Sequence, residues 1–362
     1  MEIRLSFPVM FLPEEKVMRM GSSYQWKAGG IRQHVWGTLF SLVGALATLS
    51  GAAHAQTAVT IGATKDPNQA AQIVIARDKG FFKAEGLDAT VSIFPSGGDL
   101  MAAIVGGSVS IGAAGSTPSL TLRGRPYPIR VLAQVSDISG AVQIIVKNSV
   151  KSLNDLYGAK IAVMPGTGSE GIFKSFVRDY DFDPSKVTLV NMAPAEMLSS
   201  FSRGDVIEIA LWEPYTTRAR KLFDGKVLVT GTRSAIPGKE GDRRIYADHG
   251  LLIGTETFIR DKSAVVKSVV AALAKADDFI RTNNGEATQI LAKEFGFDTG
   301  DMTEIMASNR YKLVIDDQLV NDLNGLGEFL AQKKSINSKP DARAFIDADP
   351  LRSVRSDWVQ IK

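Results

Sequence analysis

Two strand-to-helix turns follow one another in the stretch Phe94-Pro-Ser-Gly-Gly-Asp-Leu-Met-Ala-Ala-Ile-Val-Gly-Gly-Ser-Val-Ser-Ile-Gly-Ala-Ala-Gly-Ser-Thr-Pro118. An extended run at 90–94 leads into the first turn, and a second run at 109–113 leads into the next, after which Pro118 is expected at the first position of a new helix. In neighbouring parallel strands, such Gly, Ser and Thr turns direct unpaired backbone N–H groups and hydroxyls to one place beyond the strand ends. The stretch therefore predicts an α/β sheet with a ligand site at that edge. For either turn taken alone, a simple helix cap is the more common role.

The alternation of strands and helices continues on both sides of this stretch. Residues 58–63 predict a first strand, and 129–135 and 142–146 predict two more after the second turn. The second half restarts with a strand at 160–164 and a third Gly/Ser-rich loop at 165–171, and the chain after residue 263 has helical periodicity. This order predicts an α/β fold of two lobes with mixed sheets and a helical C-terminal part.

A weak internal repetition supports two lobes built alike. Asp99 and Glu196 each lie eight residues before a glycine, at positions 107 and 204. Each glycine is followed by a short strand and then by a proline, Pro118 or Pro214.

Composition narrows the possible function classes. The chain has 362 residues with a net charge of +3, 44% hydrophobic residues and no cysteine. A nearly neutral chain offers no electrostatic footprint for nucleic acid, and the missing cysteines exclude thiol catalysis, disulfides and cysteine-ligated metal. Beyond residue 55 the only histidine is His249, which is more often a satisfied turn residue than a base. We therefore predict no catalytic residues, no metal and no cofactor.

Residues 1–55 are typical of a removable secretory signal peptide and leader. Lys27 and Arg32 precede an apolar run at 35–49, and Ala53-His54-Ala55 has the small-x-small pattern of a cleavage site. A membrane anchor is the alternative, but this apolar run is short for a span. The leader is long, so translation can also begin at Met18 or Met20. We predict a periplasmic protein whose mature chain begins near Gln56.

Six motifs, taken in order, resemble the periplasmic substrate-binding proteins for alkanesulfonates, taurine and nitrate, a group that is itself similar to the thiamine-pyrimidine-precursor binders. The resemblance covers about residues 59–283. The motifs are Lys79-Gly-Phe-Phe-Lys-Ala-Glu-Gly-Leu87, Phe94-Pro-Ser-Gly-Gly98, Gly107-Ser-Val-Ser-Ile-Gly112, Gly115-Ser-Thr-Pro118, Leu153-Asn-Asp-Leu-Tyr-Gly-Ala-Lys-Ile-Ala-Val163 and Leu211-Trp-Glu-Pro-Tyr215.

The resemblance implies a type II periplasmic-binding fold, with two lobes that close on a ligand and deliver it to an ABC permease. The first lobe would comprise 57–142, the second 143–244, and 245–362 would return to the first lobe and add the C-terminal helices. The protein would be a non-catalytic monomer. Two other functions stay open: a sensor that presents its ligand to a membrane receptor, and a relative of the pyrimidine-precursor binding or synthesis proteins.

Carried over motif by motif, the resemblance implies ten ligand-binding residues: Gln69, Ser96, Gly97, Ser116, Thr117, Thr167, Gly168, Ser169, Trp212 and Glu213. The Ser and Thr residues stand at helix starts, where hydroxyls and N–H groups can hold an anionic oxygen. Trp212 provides either an aromatic wall or a core side chain, and Glu213 either holds an ammonium group or stabilises the helix dipole.

The loops contain no Arg or Lys, whereas they do contain Glu170 and Glu213. A bare sulfonate or nitrate would depend wholly on helix ends and hydroxyls. A ligand with a cationic or neutral hydrogen-bonding part is therefore at least as plausible, and the sequence leaves the ligand open among sulfonates, taurine, nitrate, aromatic acids and pyrimidines.

Overall fold

The computed structural model describes residues 56–361 except Pro126. The predicted signal peptide and its cleavage site lie outside the described residues. The strands are β1 (Thr57–Thr64), β2 (Leu87–Phe94), β3 (Ile111–Gly115), β4 (Ile129–Asp137), β5 (Val142–Lys147), β6 (Lys160–Val163), β7 (Thr188–Asn191), β8 (Glu208–Trp212), β9 (Gly225–Thr230), β10 (Arg233–Ser234), β11 (Gly241–Asp242), β12 (His249–Thr255), β13 (Arg310–Asp316) and β14 (Val359–Gln360).

Helices follow most of these strands. They are α1 (Pro67–Asp78), α2 (Phe81–Ala84), α3 (Gly97–Val105), α4 (Ser116–Arg123), α5 (Gly168–Tyr180), α6 (Pro194–Arg203), α7 (Tyr215–Leu222), α8 (Glu256–Asp261), α9 (Ser263–Thr282), α10 (Asn284–Phe295), α11 (Thr299–Ala307), α12 (Asp317–Gln332), α13 (Ala342–Phe345) and α14 (Asp349–Val354). Short 3₁₀ turns lie at Leu153–Leu156, Pro184–Lys186 and Ser356–Trp358.

The strands form two seven-stranded mixed sheets. Their orders are β14-β13-β4-β12-β3-β1-β2 and β11-β10-β9-β5-β8-β6-β7. In the first sheet β1 runs parallel to β2 and β3, and β12 runs antiparallel to β3. In the second sheet β6 runs parallel to β7 and β8, and β5 runs antiparallel to β8. The two sheets thus repeat one strand order, as the internal repetition of the sequence predicted, while the lobe boundaries at 142 and 244 stay predictions.

Each sheet is covered by helices, so its central strands are buried along their whole length. All five residues of β3 and all five of β8 are buried. The close approach of β3 to β1 requires glycine at position 112, because a Cβ there would lie 2.6 Å from the carbonyl oxygen of Gly62.

One local prediction needs correction. Helix α4 begins at Ser116, so Pro118 is its third residue and not its first. Proline is tolerated there because the first four N–H groups of a helix have no intrahelical acceptor. The C-terminal part is helical as predicted, and β13 lies among its helices and joins the first sheet beside β4. Its buried residues 313–315 form a short apolar run that gave no strand signal against the surrounding helical pattern.

Across the described residues, no helix is both long enough and apolar enough to span a bilayer.

Candidate functional site

A narrow cavity of about 30 Å³ lies where the loops of the two sheets meet. Its position, at the ends of β1, β3, β6 and β8, is the edge that the sequence predicted for a ligand. Five of the ten predicted site residues line it: Gln69, Gly97, Thr167, Gly168 and Trp212. The other lining residues are Thr64, Asp66, Gly115, Pro118, Ile138, Val142 and Asp248.

Asp66 is one of two buried carboxylates on this cavity. It follows β1 and caps α1, accepting hydrogen bonds from the backbone N–H groups of Asn68 and Gln69 at 3.0 and 3.3 Å. With its amide nitrogen facing Asp66, the Gln69 side chain donates to both carboxylate oxygens, at 2.7 and 3.0 Å. Burial nevertheless raises the pKa of Asp66 to about 7, because desolvation disfavours the charged form more than these bonds favour it.

Asp248 is the second carboxylate, and it comes from the segment just before β12. Its Oδ1 accepts hydrogen bonds from the backbone N–H groups of Ser116 and His249, both at 2.9 Å, and its Oδ2 accepts one from the Tyr246 hydroxyl at 3.1 Å. Burial raises the pKa of Asp248 despite these bonds. Gly168 faces it closely, since a Cβ at position 168 would lie 2.7 Å from Oδ2.

Asp248 occupies a position where a bound anion would be expected. Its Oδ1 accepts a hydrogen bond from the N–H group of Ser116, the first residue of α4. The N-terminus of α4 is therefore already bound to a carboxylate of the protein. No lining residue of the cavity, among those described, is Arg, Lys or His. A cation entering the cavity would therefore stabilise the ionised forms of both acids, whereas an anion would meet two carboxylates.

A family model described as NMT1/THI5 like matches residues 67–287, which is more than half of the chain. The chain belongs to this family. That confirms the relationship that the six motifs predicted, including its link to the thiamine-pyrimidine group.

Sequence comparison finds binding proteins among the relatives of this chain. The taurine-binding periplasmic protein of Escherichia coli (strain K12) is 26% identical over 278 residues, which cover 75% of this chain and 83% of that protein. In structure, the alkanesulfonate-binding protein SsuA from Xanthomonas axonopodis pv. citri, bound to MOPS, matches with a TM-score of 0.68 and 17% identity. The match covers 81% of this chain and 98% of that one, and it confirms the fold.

One enzyme is also a structural neighbour. The desulfurization enzyme DszB matches with a TM-score of 0.62 and 16% identity, covering 83% of this chain and 99% of DszB. The fold of this family member is thus shared by binding proteins and at least one enzyme. In the described part of the chain, no three His, Cys, Asp or Glu residues are grouped so as to hold a metal ion.

On the side of the second sheet the cavity has neutral walls. Trp212 ends β8, is only 8% exposed, and packs edge-on against Tyr215 with ring centroids 6.1 Å apart. It is both a packed core residue and a wall of the cavity, so the two roles considered from the sequence coincide. Thr167 caps α5 by accepting from the backbone N–H of Ser169 at 3.3 Å, while its hydroxyl donates to the Met164 carbonyl at 2.8 Å.

Glu213 has the helix-stabilising role and does not line the cavity. Its Oε2 accepts from the backbone N–H of Thr217 at 3.0 Å, and its Oε1 accepts from the Gln143 amide at 3.3 Å and lies 3.6 Å from the Arg220 guanidinium. Burial raises the pKa of this carboxyl, although the bonds to Thr217 and the charge of Arg220 oppose that effect. These bonds support the role of Glu213 at the start of α7, and its role as the partner of a ligand ammonium group stays a prediction.

Four predicted hydroxyl donors are likewise engaged inside the protein and do not line the cavity. The Ser96 hydroxyl donates to Asp99 at 2.7 Å, and that of Thr117 lies 2.6 Å from the Tyr246 hydroxyl. The Ser116 hydroxyl donates to the carbonyl of His249 and accepts from its N–H, and the Ser169 hydroxyl joins Met164 to Ala210 in the same way. Short Ser and Thr side chains at helix N-termini lie close to backbone N–H and C=O groups. They therefore form hydrogen bonds inside the protein, as these four do.

His249 is buried one residue beyond Asp248. Its Nε2 lies 2.9 Å from Asp322 Oδ2 of α12, and it does not line the cavity. Among the residues that sequence reasoning missed as site residues, Asp66 had a local signal, because Asp-Pro-Asn directly follows the first strand. Asp248 had none, since its position depends on Ser116, 132 residues away.

Proposed function

We propose that this protein is a periplasmic solute-binding protein of an ABC importer, and that its ligand carries an ammonium or similar cationic group together with a sulfonate-like anionic end. The observation that carries the proposal is the pair of buried carboxylates, Asp66 and Asp248, on a cavity whose described lining has no basic side chain. The relation to a taurine-binding protein supports the same ligand class, because taurine is a zwitterion.

The two ends of such a ligand would have different partners. The ammonium group would lie against Asp66 and Asp248, where it replaces the missing counter-charge of both acids. The anionic end would be met by neutral donors, namely the Trp212 indole and the first N–H groups of α3 and α5 at Gly97 and Gly168, which have no intrahelical acceptor.

Isothermal titration calorimetry with two matched ligands tests this proposal. Taurine and ethanesulfonate differ in the ammonium group alone, so their difference in affinity reports on the carboxylate pair. We expect taurine to bind at least about a hundredfold more tightly, the equivalent of about 2.7 kcal/mol. If ethanesulfonate bound as tightly as taurine, or more tightly, the proposed cationic group would be wrong.

Transport without chemical conversion is the other part of the proposal. The chain has no cysteine and, beyond residue 55, a single histidine, whose Nε2 faces Asp322. We expect a monomer that returns its ligand unchanged, as mass spectrometry of the released ligand would show. Deleting the gene should abolish high-affinity uptake of labelled taurine, and turnover of the ligand would contradict the binding role.

Export through a cleavable signal peptide belongs to the same proposal. The basic residues, apolar run and Ala53-His54-Ala55 pattern support cleavage near Gln56. N-terminal sequencing of protein from the periplasm should find this new terminus, and a mature chain that retains residues 20–50 would contradict it.

A further inference from the structure

Two connections join the halves of the chain that carry the two sheets. The described chain passes from the first sheet to the second between β4 and β5, and it returns between β11 and β12. The cavity of about 30 Å³ between the sheets has room for no more than a few water molecules. A ligand of the proposed kind can therefore reach Asp66 and Asp248 only if the two halves first move apart.

One contact between these halves is ionic and lies outside the cavity. Helix α7 lies between strands β8 and β9 of the second sheet, and α11 lies between β12 and β13 of the first. The guanidinium group of Arg220 on α7 lies 2.7 Å from the carboxylate of Glu304 on α11. The ammonium group of Lys221 lies 3.1 Å from the same carboxylate and also pairs with Asp301. We call these four side chains the α7–α11 contact.

The two signs of charge are divided between the halves at this contact. Both cations belong to the half with the second sheet, and both acids belong to the half with the first. Arg218 of α7 follows the same pattern, since its guanidinium lies 4.5 Å from the centre of the Phe297 ring, just before α11. The hydrogen bond from Arg220 lowers the pKa of Glu304, so this pair stays charged around neutral pH. Separation of the halves would break all three ion pairs, because each has one partner in either half.

We propose that the α7–α11 contact is an electrostatic latch, which stabilises the closed arrangement of the two halves and so sets ligand affinity from outside the binding cavity. This inference rests on the proposed function, which supplies the ligand, and adds a regulation of the same site by ionic strength. A ligand that requires the closed arrangement binds more weakly when the protein alone favours that arrangement less. None of the four side chains lines the cavity, so the latch acts on affinity whatever the charge of the ligand.

Pulsed electron spin resonance between two spin labels measures the separation of the halves without any ligand. The chain has no cysteine, so Asp88→Cys on β2 and Leu189→Cys on β7 would place one label at an exposed position of each sheet. Raising the salt from about 0.01 M to about 1 M shortens the Debye length from about 30 Å to about 3 Å. We expect the closed distance to predominate at low salt and a second distance to gain population as the salt concentration rises.

Neutralising the acids of the contact should have the same effect as salt. Asp301→Asn combined with Glu304→Gln should populate the second distance even at low salt. It should also weaken taurine binding about three- to tenfold in calorimetry, since exposed ion pairs contribute little singly and more as a network. Lys221→Gln should cause part of this change in the unaltered protein and no further change in the double variant, because its partners are then gone.

Glu286→Gln is the matched control. Glu286 forms a similarly exposed ion pair of 2.7 Å with Lys79, but both residues belong to the half with the first sheet. The control should therefore leave both the label distance and the taurine affinity unchanged.

The outcomes separate the latch from the proposed function. A label distance that neither salt nor the double variant changes would overturn the latch, and so would a control variant that opens as much as the double variant. Tight taurine binding with such an unresponsive distance would leave the proposed function standing. If taurine does not bind but salt and the double variant do open the labelled protein, the proposed ligand is wrong and the latch is supported.

Discussion

The two sheets share one strand order but contribute different chemistry to the seam between them. On the side of the first sheet, Asp66 and Asp248 line the cavity without an Arg or Lys partner among the described residues. On the side of the second sheet the cavity is lined by Trp212 and Thr167, and the buried Glu213, which is not a lining residue, lies beside Arg220. All three acids accept helix-start N–H groups, so geometry alone does not distinguish them. They differ in the positive charge nearby: Arg220 provides one for Glu213, whereas no Arg or Lys among the described residues provides one for Asp66 or Asp248. We infer that the ligand provides the positive charge for Asp66 and Asp248.

The largest effect on ligand binding should come from neutralising one acid on each side of the seam. Asp248→Asn keeps the shape and an acceptor for Ser116 N–H, and we expect it to weaken taurine binding about a hundredfold, because a hydrogen-bonded ion pair is lost. Glu213→Gln is the matched control on the other sheet. It should change affinity by less than about threefold, as measured by calorimetry. Equal losses in both variants would mean that the two acids do not differ in the way their surroundings indicate.

The pH dependence of ligand affinity tests whether Asp66 must be ionised for binding. Burial raises the pKa of Asp66 to about 7 in the free protein, so its carboxyl is largely neutral below that value. A cationic ligand requires the ionised form, and its affinity should rise with pH up to about pH 7, by at most about tenfold per unit, and then level off. Tyr215 and Tyr311 interact electrically with Asp66, and both are neutral in this range because burial raises the pKa of both.

Titrations between pH 5 and 8 with taurine would measure this rise. Asp66→Asn should remove the part of the pH dependence that belongs to Asp66. An affinity that increases toward low pH would indicate an anionic ligand and contradict the assignment of charge.

Glu208 shows what a buried acid does when it lies away from the seam. It begins β8, it is fully buried, and neither carboxylate oxygen has a hydrogen-bond partner among the described residues. Burial raises its pKa to about 8. Since the folded state binds the proton more strongly than the unfolded state, the stability linked to Glu208 is greatest below about pH 4.5 and is lost as pH rises toward 8.

Glu208→Gln should therefore raise the free energy of unfolding at pH 8 by about 1–3 kcal/mol, with little effect near pH 4.5. Denaturant unfolding at both pH values would measure this. Taurine affinity should stay within about twofold, in contrast to the Asp66 and Asp248 variants. A variant that is less stable than the unaltered protein at pH 8 would show that the carboxylate has an ionic role in the fold.

The sequence predicted the sheets better than the side chains of the site. Each strand-to-helix turn has its own chemistry, such as Ser96 capping α3, so a local pattern was enough to place it. The same local bonds explain why the predicted hydroxyls were poor ligand candidates, since a Ser that caps or connects has already used its donor. Asp248 could not be predicted, because its burial and partners arise only when the segment before β12 meets α4 and α5. For Glu213 the sequence left two roles equal, and the position of Arg220 on α7 supports the role at the helix start.

The smallest effect on affinity is expected for a substitution of Thr117, because its hydroxyl is connected to the cavity only through the Tyr246 hydroxyl. It lies 2.6 Å from the Tyr246 hydroxyl, which in turn donates to Asp248 Oδ2 at 3.1 Å. A direct ligand contact would make Thr117→Val cost about ten- to a hundredfold in affinity. In the structure the change loosens only the orientation of Tyr246, so we expect a loss of about two- to threefold. Tyr246→Phe should lose more, because it takes a hydrogen bond directly from the carboxylate, and the double variant should lose no more than Tyr246→Phe alone. Additive losses in calorimetry would instead show that Thr117 and Tyr246 contact the ligand independently.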